Sequence, residues 1–181
     1  MKKMFLLVAL AAFFAVTAWA ADDVVTAVHG VITKVDGASK TIVVKAKDGT
    51  EHTIHFVDKT AVYGAEGAAM GAKDTFHGLK EGSEVVAHYT VKGSEKTATE
   101  VDNVGKDGLK ATEGTVTKVG EGGKTVTVKA ADGTEQTFDV VGHDTKAAAV
   151  DTAKGTEKGA KVTVYYTEKA GKKVAHFFEK L

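Results

Sequence analysis

The sequence of 181 residues lacks cysteine and arginine altogether, and its single tryptophan is Trp19. Without cysteine the chain has no disulfide, no thiol nucleophile, no thiolate metal site and no lipidated N-terminal cysteine. Its 24 cationic residues are all lysine and are matched by 24 acidic residues. Nucleic-acid-binding proteins typically show a basic excess and the planar guanidinium forks of arginine. We therefore expect no nucleic-acid partner.

The first twenty residues have the pattern of a secretion signal. Lys2 and Lys3 precede an apolar stretch at 4–16, and Ala18-Trp19-Ala20 supplies the small-x-small pattern recognised by signal peptidase. The apolar stretch is shorter than the span of about 20 residues that a membrane helix needs, and no second one follows. We expect residues 1–20 to be removed after Ala20. The mature protein is then periplasmic or secreted from a bacterium and has no membrane span.

The mature chain contains an internal repeat. Residues 28–57 align with residues 112–141 without a gap and share 15 identities in 30 positions. Farther along the chain, residues 82–90 match residues 159–167 at a shorter offset. A duplicated domain explains this pattern. The predicted boundaries are 21–104 for the first domain, 105–110 for a short flexible linker and 111–181 for the second domain.

Each copy shows the two-residue alternation of β-strands. In 41–46, Ile42 and Val44 point to one side while Thr41 and Lys45 point to the other. Asp-Gly pairs at 48–49 and 132–133 separate such runs, as in two-residue hairpin turns. Five strands are predicted in each copy. The connection between strands three and four is expected to be a short helix or irregular segment, which in the first copy plugs the barrel with Phe76 and Leu79.

Glycine lies inside the first strand of each copy, at Gly30 and Gly114. Glycine inside a strand commonly marks a sharp bend or bulge at the corner of a barrel. The predicted fold class is therefore all-β, with two tandem five-stranded barrels of the oligonucleotide/oligosaccharide-binding (OB) type.

Three phrases carry a resemblance to known families. They are Gly-Val-Ile-Thr-Lys-Val at 30–35, Lys-Thr-Ile-Val-Val-Lys at 40–45 and Leu-Lys-Glu-Gly-Ser-Glu-Val at 79–85. The sequence resembles exported bacterial OB-fold domains of unknown function. In strand pattern it is more distantly similar to the periplasmic copper chaperones. Those chaperones bind metal through a tryptophan, a histidine and two methionines near strands two and three. This chain has no tryptophan there, and Met70 lies outside those strands, so that ligand set does not carry over.

Histidine is the remaining candidate for metal chemistry, because imidazole is a common ligand of Zn²⁺ and Cu²⁺. His29 and His88 lie on the outer faces of predicted strands one and four, which are neighbours in an OB barrel. If they are in register, the two side chains lie within about 5 Å of each other. Glu113 and Tyr165 replace them in the second copy. The alternative is an exposed cross-strand contact without a ligand.

His52 and His55 are weaker candidates. They lie on opposite faces of the third strand, so they do not point towards a common ion. His77 is the next candidate after them.

Three functions from different classes remain open. The first is an exported, non-catalytic binding or interaction protein without a cofactor, which acts as a monomer on an unidentified envelope or extracellular component. The alternative is a periplasmic protein that binds copper or zinc through histidines of the first domain. The third function, an enzyme of unknown type, is not expected. Gly122-Gly-Lys-Thr125 resembles the end of a phosphate-binding loop, but a strand rather than a helix follows it.

Overall fold

The structure is a computed structural model that describes residues 25–64, 76–140 and 156–181. The predicted signal peptide (1–20), Met70, and most of the connections that follow the third strand of each copy lie outside the described residues. Within them, regular structure consists of strands and a 3₁₀ turn at Glu121–Gly123. The strands are β1 (Val25–Asp36), β2 (Thr41–Ala46), β3 (Glu51–His55), β4 (Ala61–Tyr63), β5 (Glu84–Lys92), β6 (Glu95–Asn103), β7 (Lys110–Val119), β8 (Thr125–Lys129), β9 (Glu135–Asp139), β10 (Lys161–Lys169) and β11 (Lys172–Lys180).

The strands form two barrels with the same topology. In the first, β1 pairs antiparallel with β2 and β5, β2 pairs with β3, β5 pairs with β6, and a parallel contact between β3 and β6 closes the ring. In the second, β7 to β11 repeat this order, with the parallel closure between β9 and β11. This arrangement is the five-stranded OB-like barrel. The predicted fold class is confirmed. The first barrel carries one strand more than expected, β4, which runs parallel to β6.

The side chains that the two-residue alternation predicts to share one face are the ones that form the barrel cores. Ile42 and Val44 of β2 are fully buried, as are Val126 and Val128 of β8. The plug predicted for the first barrel is confirmed at its described end, because Phe76 and Leu79 belong to the core cluster. The Phe76 ring packs edge-on against that of Phe56, with 5.0 Å between centroids.

Gly30 and Gly114 allow two strands to approach closely at the corner of each barrel. A Cβ atom on Gly30 would lie 2.3 Å from the carbonyl oxygen of Lys45, and one on Gly114 would lie 2.5 Å from that of Lys129. Such distances are far inside van der Waals contact. A bulge follows three residues later in each strand, at Thr33 and Thr117. The predicted role of these glycines is confirmed by this geometry.

The two barrels pack against each other through a third apolar cluster, formed by Val86, Leu109 and Tyr165. Leu109 lies in the connection that the sequence indicated as a flexible linker. Its N–H donates to the carbonyl of Asn103 at 2.8 Å, and the N–H of Gly105 donates to the carbonyl of Leu109 at 2.9 Å. The connection is thus a hydrogen-bonded turn with a buried side chain. No helix in the described ranges has the length and hydrophobicity to cross a membrane.

Candidate metal centre between the two barrels

The outer face of β1, β5 and β6 meets the second barrel, and its side chains form two cross-strand rows. The rows are Ala27–His88–Glu100 and His29–Val86–Asp102. Because side chains alternate between the faces of a strand, all six project from the same face. The register therefore does not place His29 opposite His88. The two histidines are diagonal neighbours, and their ring nitrogens contact different acidic groups.

The second barrel contributes His176 from β11. The register of β10 and β11 passes from Tyr165–Phe177 to Tyr166–Ala175, so His176 is the extra residue of a β-bulge. A bulge breaks the regular alternation and redirects the side chain that it carries. Here the redirected imidazole reaches the acidic side chains of β6 in the first barrel.

His88, Glu100, Asp102 and His176 together form a cluster that we call the buried centre. Asp102 Oδ2 lies 3.2 Å from His176 Nδ1 and 3.7 Å from His88 Nε2. Glu100 Oε1 lies 3.8 Å from His176 Nδ1. One donor atom from each of Glu100, Asp102 and His176 fits within a mutual distance of 4.8 Å, which is close enough for the three to share a metal ion. The ligands would come from both copies of the repeat.

Asp102 dominates the electrostatics of the buried centre. Its side chain is fully buried, and its Oδ1 atom has no hydrogen-bond partner among the described residues. Burial raises the pKa of Asp102 to about 7, against the opposing effect of a hydrogen bond with Glu100. Burial also lowers the pKa of His176, opposed by the negative charge of Glu100. A buried carboxylate oxygen without a donor is costly. A bound cation would remove that cost.

Two neighbours orient the imidazole of His176. Its Nε2 atom is 3.2 Å from the hydroxyl of Thr167, and this contact directs Nδ1 towards Asp102. The ring of Tyr63 stacks on the imidazole, with 6.2 Å between centroids and 26° between planes. Histidine ligands commonly use the second ring nitrogen for such an orienting hydrogen bond, which fixes the tautomer. Thr167 and Tyr63 are therefore positioning residues.

His29 belongs to a different cluster, which we call the rim centre, together with Glu84, Tyr165 and Glu179. Its Nε2 atom lies 2.9 Å from Glu84 Oε1, and its Nδ1 atom lies 3.1 Å from the Tyr165 hydroxyl. That hydroxyl donates to Glu179 Oε2 at 3.1 Å. Both ring nitrogens of His29 thus contact oxygen atoms on opposite sides of the ring. The contact links the barrels, but His29, Glu84 and Glu179 do not form a group of metal-donor atoms within 4.8 Å of one another.

The weaker candidates have other positions. His52 Nδ1 accepts a hydrogen bond from Lys96 Nζ at 3.0 Å. Burial and the charge of Lys96 both lower the pKa of His52. Gln136, at the matching position of the second copy, accepts from Lys173 at 2.6 Å in the same way. His52 is therefore an acceptor for a lysine, a role that glutamine also fills.

His55 lies at the end of β3 opposite Thr41, and His77 adopts a positive φ of 49° in the turn that follows Phe76. The two residues lie on different elements from the buried centre. Of the histidines singled out in the sequence, the structure brings only His88 into that centre.

Sequence reasoning missed Glu100, Asp102 and His176 as candidates. Glu100 and Asp102 are two residues apart on a predicted strand beside that of His88, so their common face could have been noticed. His176 has no periodic signal, because it lies on a bulge. The repeat itself offered a different signal, namely that the two copies differ at these positions. Phe177 and Glu179 of the second copy correspond to Glu100 and Asp102, and Thr99 of the first copy corresponds to His176.

Comparisons with known proteins return weak structural similarity only. No protein-family model matches the chain, and no curated protein matches its sequence. The structure of Ag(I)CusF is similar at 14% identity and a TM-score of 0.33, over 44% of this chain and 96% of that one. The CSD456 segment of Drosophila Unr is similar at 16% identity and a TM-score of 0.31, over 88% of this chain. This chain spans 62% of the length of that segment.

Proposed function

We propose that this protein is an exported, non-catalytic binding protein whose ligand is a divalent transition-metal ion held in the buried centre. The observation that carries the proposal is the convergence of Glu100, Asp102 and His176 in the interface, with His176 on Oδ2 of the buried Asp102 and no hydrogen-bond partner for Asp102 Oδ1 among the described residues. Imidazole and carboxylate together suit such ions. The proposal keeps the metal-binding alternative from the sequence but assigns it to other residues.

Enclosure supports a binding role over a catalytic one. His88 and His176 are less than 10% exposed, and Asp102 is fully buried. A catalytic metal site keeps one position open for water or substrate, whereas a structural or storage site is closed by protein ligands. The charge balance agrees with this role, since two acidic side chains offset a divalent ion.

Export and a monomeric state complete the proposal. The N-terminal pattern of residues 1–20 supports export, and in a compartment of that kind a cysteine-free site of histidine and carboxylate is insensitive to thiol oxidation. A monomer suffices because both sides of the buried centre come from one chain. The natural source of the ion would then be the envelope or the surrounding medium.

Isothermal titration of the purified protein with Zn²⁺ tests the proposal. We expect one ion per chain with a dissociation constant below about 1 μM. His176→Ala and Asp102→Asn should each weaken binding by about 100-fold or more, since even residues that only orient ligands contribute about 10- to 100-fold. The matched control is His52→Gln, which removes a histidine and restores the residue found in the second copy. Equal binding by all four proteins, or no binding by the wild type, would contradict the proposal.

A further inference from the structure

The buried centre has features that narrow the class of ion. We infer that it takes zinc(II), or a divalent ion with the same tetrahedral preference, and that His88 supplies the fourth donor. The inference rests on the proposed function and adds the identity of the ion and its coordination. It follows from three properties of the cluster: the donor atoms, their separations and their enclosure.

The donor atoms of the buried centre do not suit soft monovalent metal ions. His88 and His176 offer imidazole nitrogen, while Glu100 and Asp102 offer carboxylate oxygen. Copper(I) and silver(I) select thiolate and thioether sulfur. The chain has no cysteine, and its three methionines are at 1, 4 and 70, outside the described residues. The centre is therefore a nitrogen–oxygen site of borderline softness.

The separations favour a tetrahedron. Donors about 2.0–2.1 Å from a zinc ion at the centre of a tetrahedron lie about 3.3 Å from one another, whereas a square plane brings adjacent donors to about 2.9 Å. Asp102 Oδ2 lies 3.2 Å from His176 Nδ1 and 3.7 Å from His88 Nε2. Glu100 Oε1 lies 3.8 Å from His176 Nδ1. All three separations exceed the square-planar value. Donor atoms of Glu100, Asp102 and His176 already lie within 4.8 Å of one another. His88 approaches this group at Asp102 and would move towards it to complete a tetrahedral shell.

His88 is suited to the fourth position by its place in the sheet. It is the direct cross-strand partner of Glu100. Its ring nitrogen approaches the same oxygen of Asp102 as His176 does, from the other side of the interface. Two imidazoles, one from each copy, therefore converge on one carboxylate. Tyr165 stands at the position of His88 in the second copy, so no equivalent fourth nitrogen exists there.

The enclosure disfavours magnesium and calcium. Those ions require six or more oxygen ligands, and magnesium usually keeps several waters. Three of the four side chains are less than 10% exposed, and Glu100 is the most open at 19%. Only two of the four donors are oxygen. Four protein donors with little access for water match zinc in a closed site.

The test combines ion competition with X-ray absorption spectroscopy on the purified full-length protein. Zn²⁺, Ca²⁺, Mg²⁺ and Ag⁺ are titrated separately and then against bound Zn²⁺. We expect Zn²⁺ to bind at least about 100-fold more tightly than Ca²⁺, Mg²⁺ or Ag⁺. The zinc edge should report four nitrogen or oxygen neighbours at about 2.0 Å, with the multiple-scattering signature of two imidazoles.

His88→Ala and His88→Gln test the fourth donor. Each should leave one imidazole in the zinc shell and weaken Zn²⁺ binding by about 10-fold or more. The glutamine variant preserves side-chain volume in case alanine disturbs the interface, and circular dichroism checks the fold of both. Tighter binding of Ca²⁺ or Ag⁺, a six-oxygen shell, or an unchanged imidazole count in the His88 variants would overturn the inference while leaving cation binding intact. Absence of binding by every ion would overturn the proposed function and the inference together.

Discussion

The buried centre and the rim centre occupy matching positions of the two copies, yet their carboxylates have different hydrogen-bond partners. His88 and Asp102 of the first copy correspond to Tyr165 and Glu179 of the second, and in both cases the other copy adds a histidine. In the rim centre the Tyr165 hydroxyl donates to Glu179, which satisfies that carboxylate. In the buried centre His88 takes the place of tyrosine, and Asp102 Oδ1 has no partner among the described residues.

Burial separates the two centres further. The side chain of Glu84 is 49% exposed, so water can solvate its charge, and Glu179 accepts a hydrogen bond from the Tyr165 hydroxyl. Asp102 has no such access, and its pKa is raised to about 7. A carboxylate at the rim is stable as it stands, whereas a carboxylate in the interface needs a proton or a cation. The two copies thus differ: one carries a hydrogen-bonded contact, and the other carries the buried carboxylate on which the proposed metal site depends.

The largest effect that separates the centres is expected from matched amide variants. Asp102→Asn should reduce Zn²⁺ affinity by about 100-fold or more, because it removes the central charged donor. Glu179→Gln should leave the affinity within about threefold of the wild type, since Glu179 lies in the rim centre. Titration calorimetry measures both. If Glu179→Gln had the larger effect, the assignment of the two centres would be reversed.

Zinc should also stabilise the fold through the buried centre alone. At a free ion concentration 100 times the dissociation constant, the ion adds about 2.7 kcal/mol to the free energy of unfolding. For a chain of this size that corresponds to an increase in Tm of about 5–10 °C. Differential scanning calorimetry with and without Zn²⁺ should show this increase for the wild type and His29→Gln. His176→Ala should show less than about 2 °C, and an equal increase in His176→Ala would contradict the prediction.

The pH dependence of the metal-free protein isolates Asp102. Because burial raises its pKa to about 7, the folded state holds a proton that the unfolded state releases above about pH 4. The contribution of Asp102 is therefore fully present below about pH 4 and is lost as the pH rises towards 7. His176 has the opposite sign, since its lowered pKa costs stability as the pH falls.

Comparing the wild type with Asp102→Asn measures the contribution of the Asp102 carboxyl together with its contact to His176. In the presence of a chelator, the Tm of Asp102→Asn relative to the wild type should rise by a few degrees between pH 5 and pH 8. Glu179→Gln serves as the control and should show no such trend. A flat difference for Asp102→Asn would show that its carboxyl is not perturbed by burial.

The smallest effect is expected at His52. Gln136 accepts from Lys173 as His52 accepts from Lys96, so His52→Gln should retain the hydrogen bond. We expect the Tm to change by less than about 2 °C and Zn²⁺ affinity to remain within about twofold. Thermal unfolding and titration of this variant measure both. A marked loss of affinity would instead place His52 in the metal site.

Local patterns were enough to predict each barrel. The alternation around Ile42 and Val126, the close approach at Gly30, and the plug formed by Phe76 depend on neighbours that the strand order itself fixes. The candidate status of His88 also followed from its outward phase on a strand. These features are encoded over a few residues, where the period of two is a reliable guide.

The site was not predictable in the same way, because it is formed by docking one barrel on the other. Asp102 is polar and faces outward from its own barrel, so its complete burial depends on a surface more than 60 residues away in sequence. The register that separates His29 from His88 is set by pairing along the whole of β1 and β5. The bulge at His176 interrupts the two-residue alternation of β11, so that alternation does not predict the direction of its side chain. The sequence features that could have indicated the candidate site are the positions at which the two copies differ, such as Thr99 and His176.

Anomalous diffraction at the zinc edge from crystals of the zinc-loaded protein tests the central claim most directly. The expected result is one strong peak between the barrels, within about 2.0–2.2 Å of His88 Nε2, His176 Nδ1 and a carboxylate oxygen of Asp102. A peak at the rim centre beside His29, or at surface histidines only, would contradict the assignment of the buried centre as the metal site.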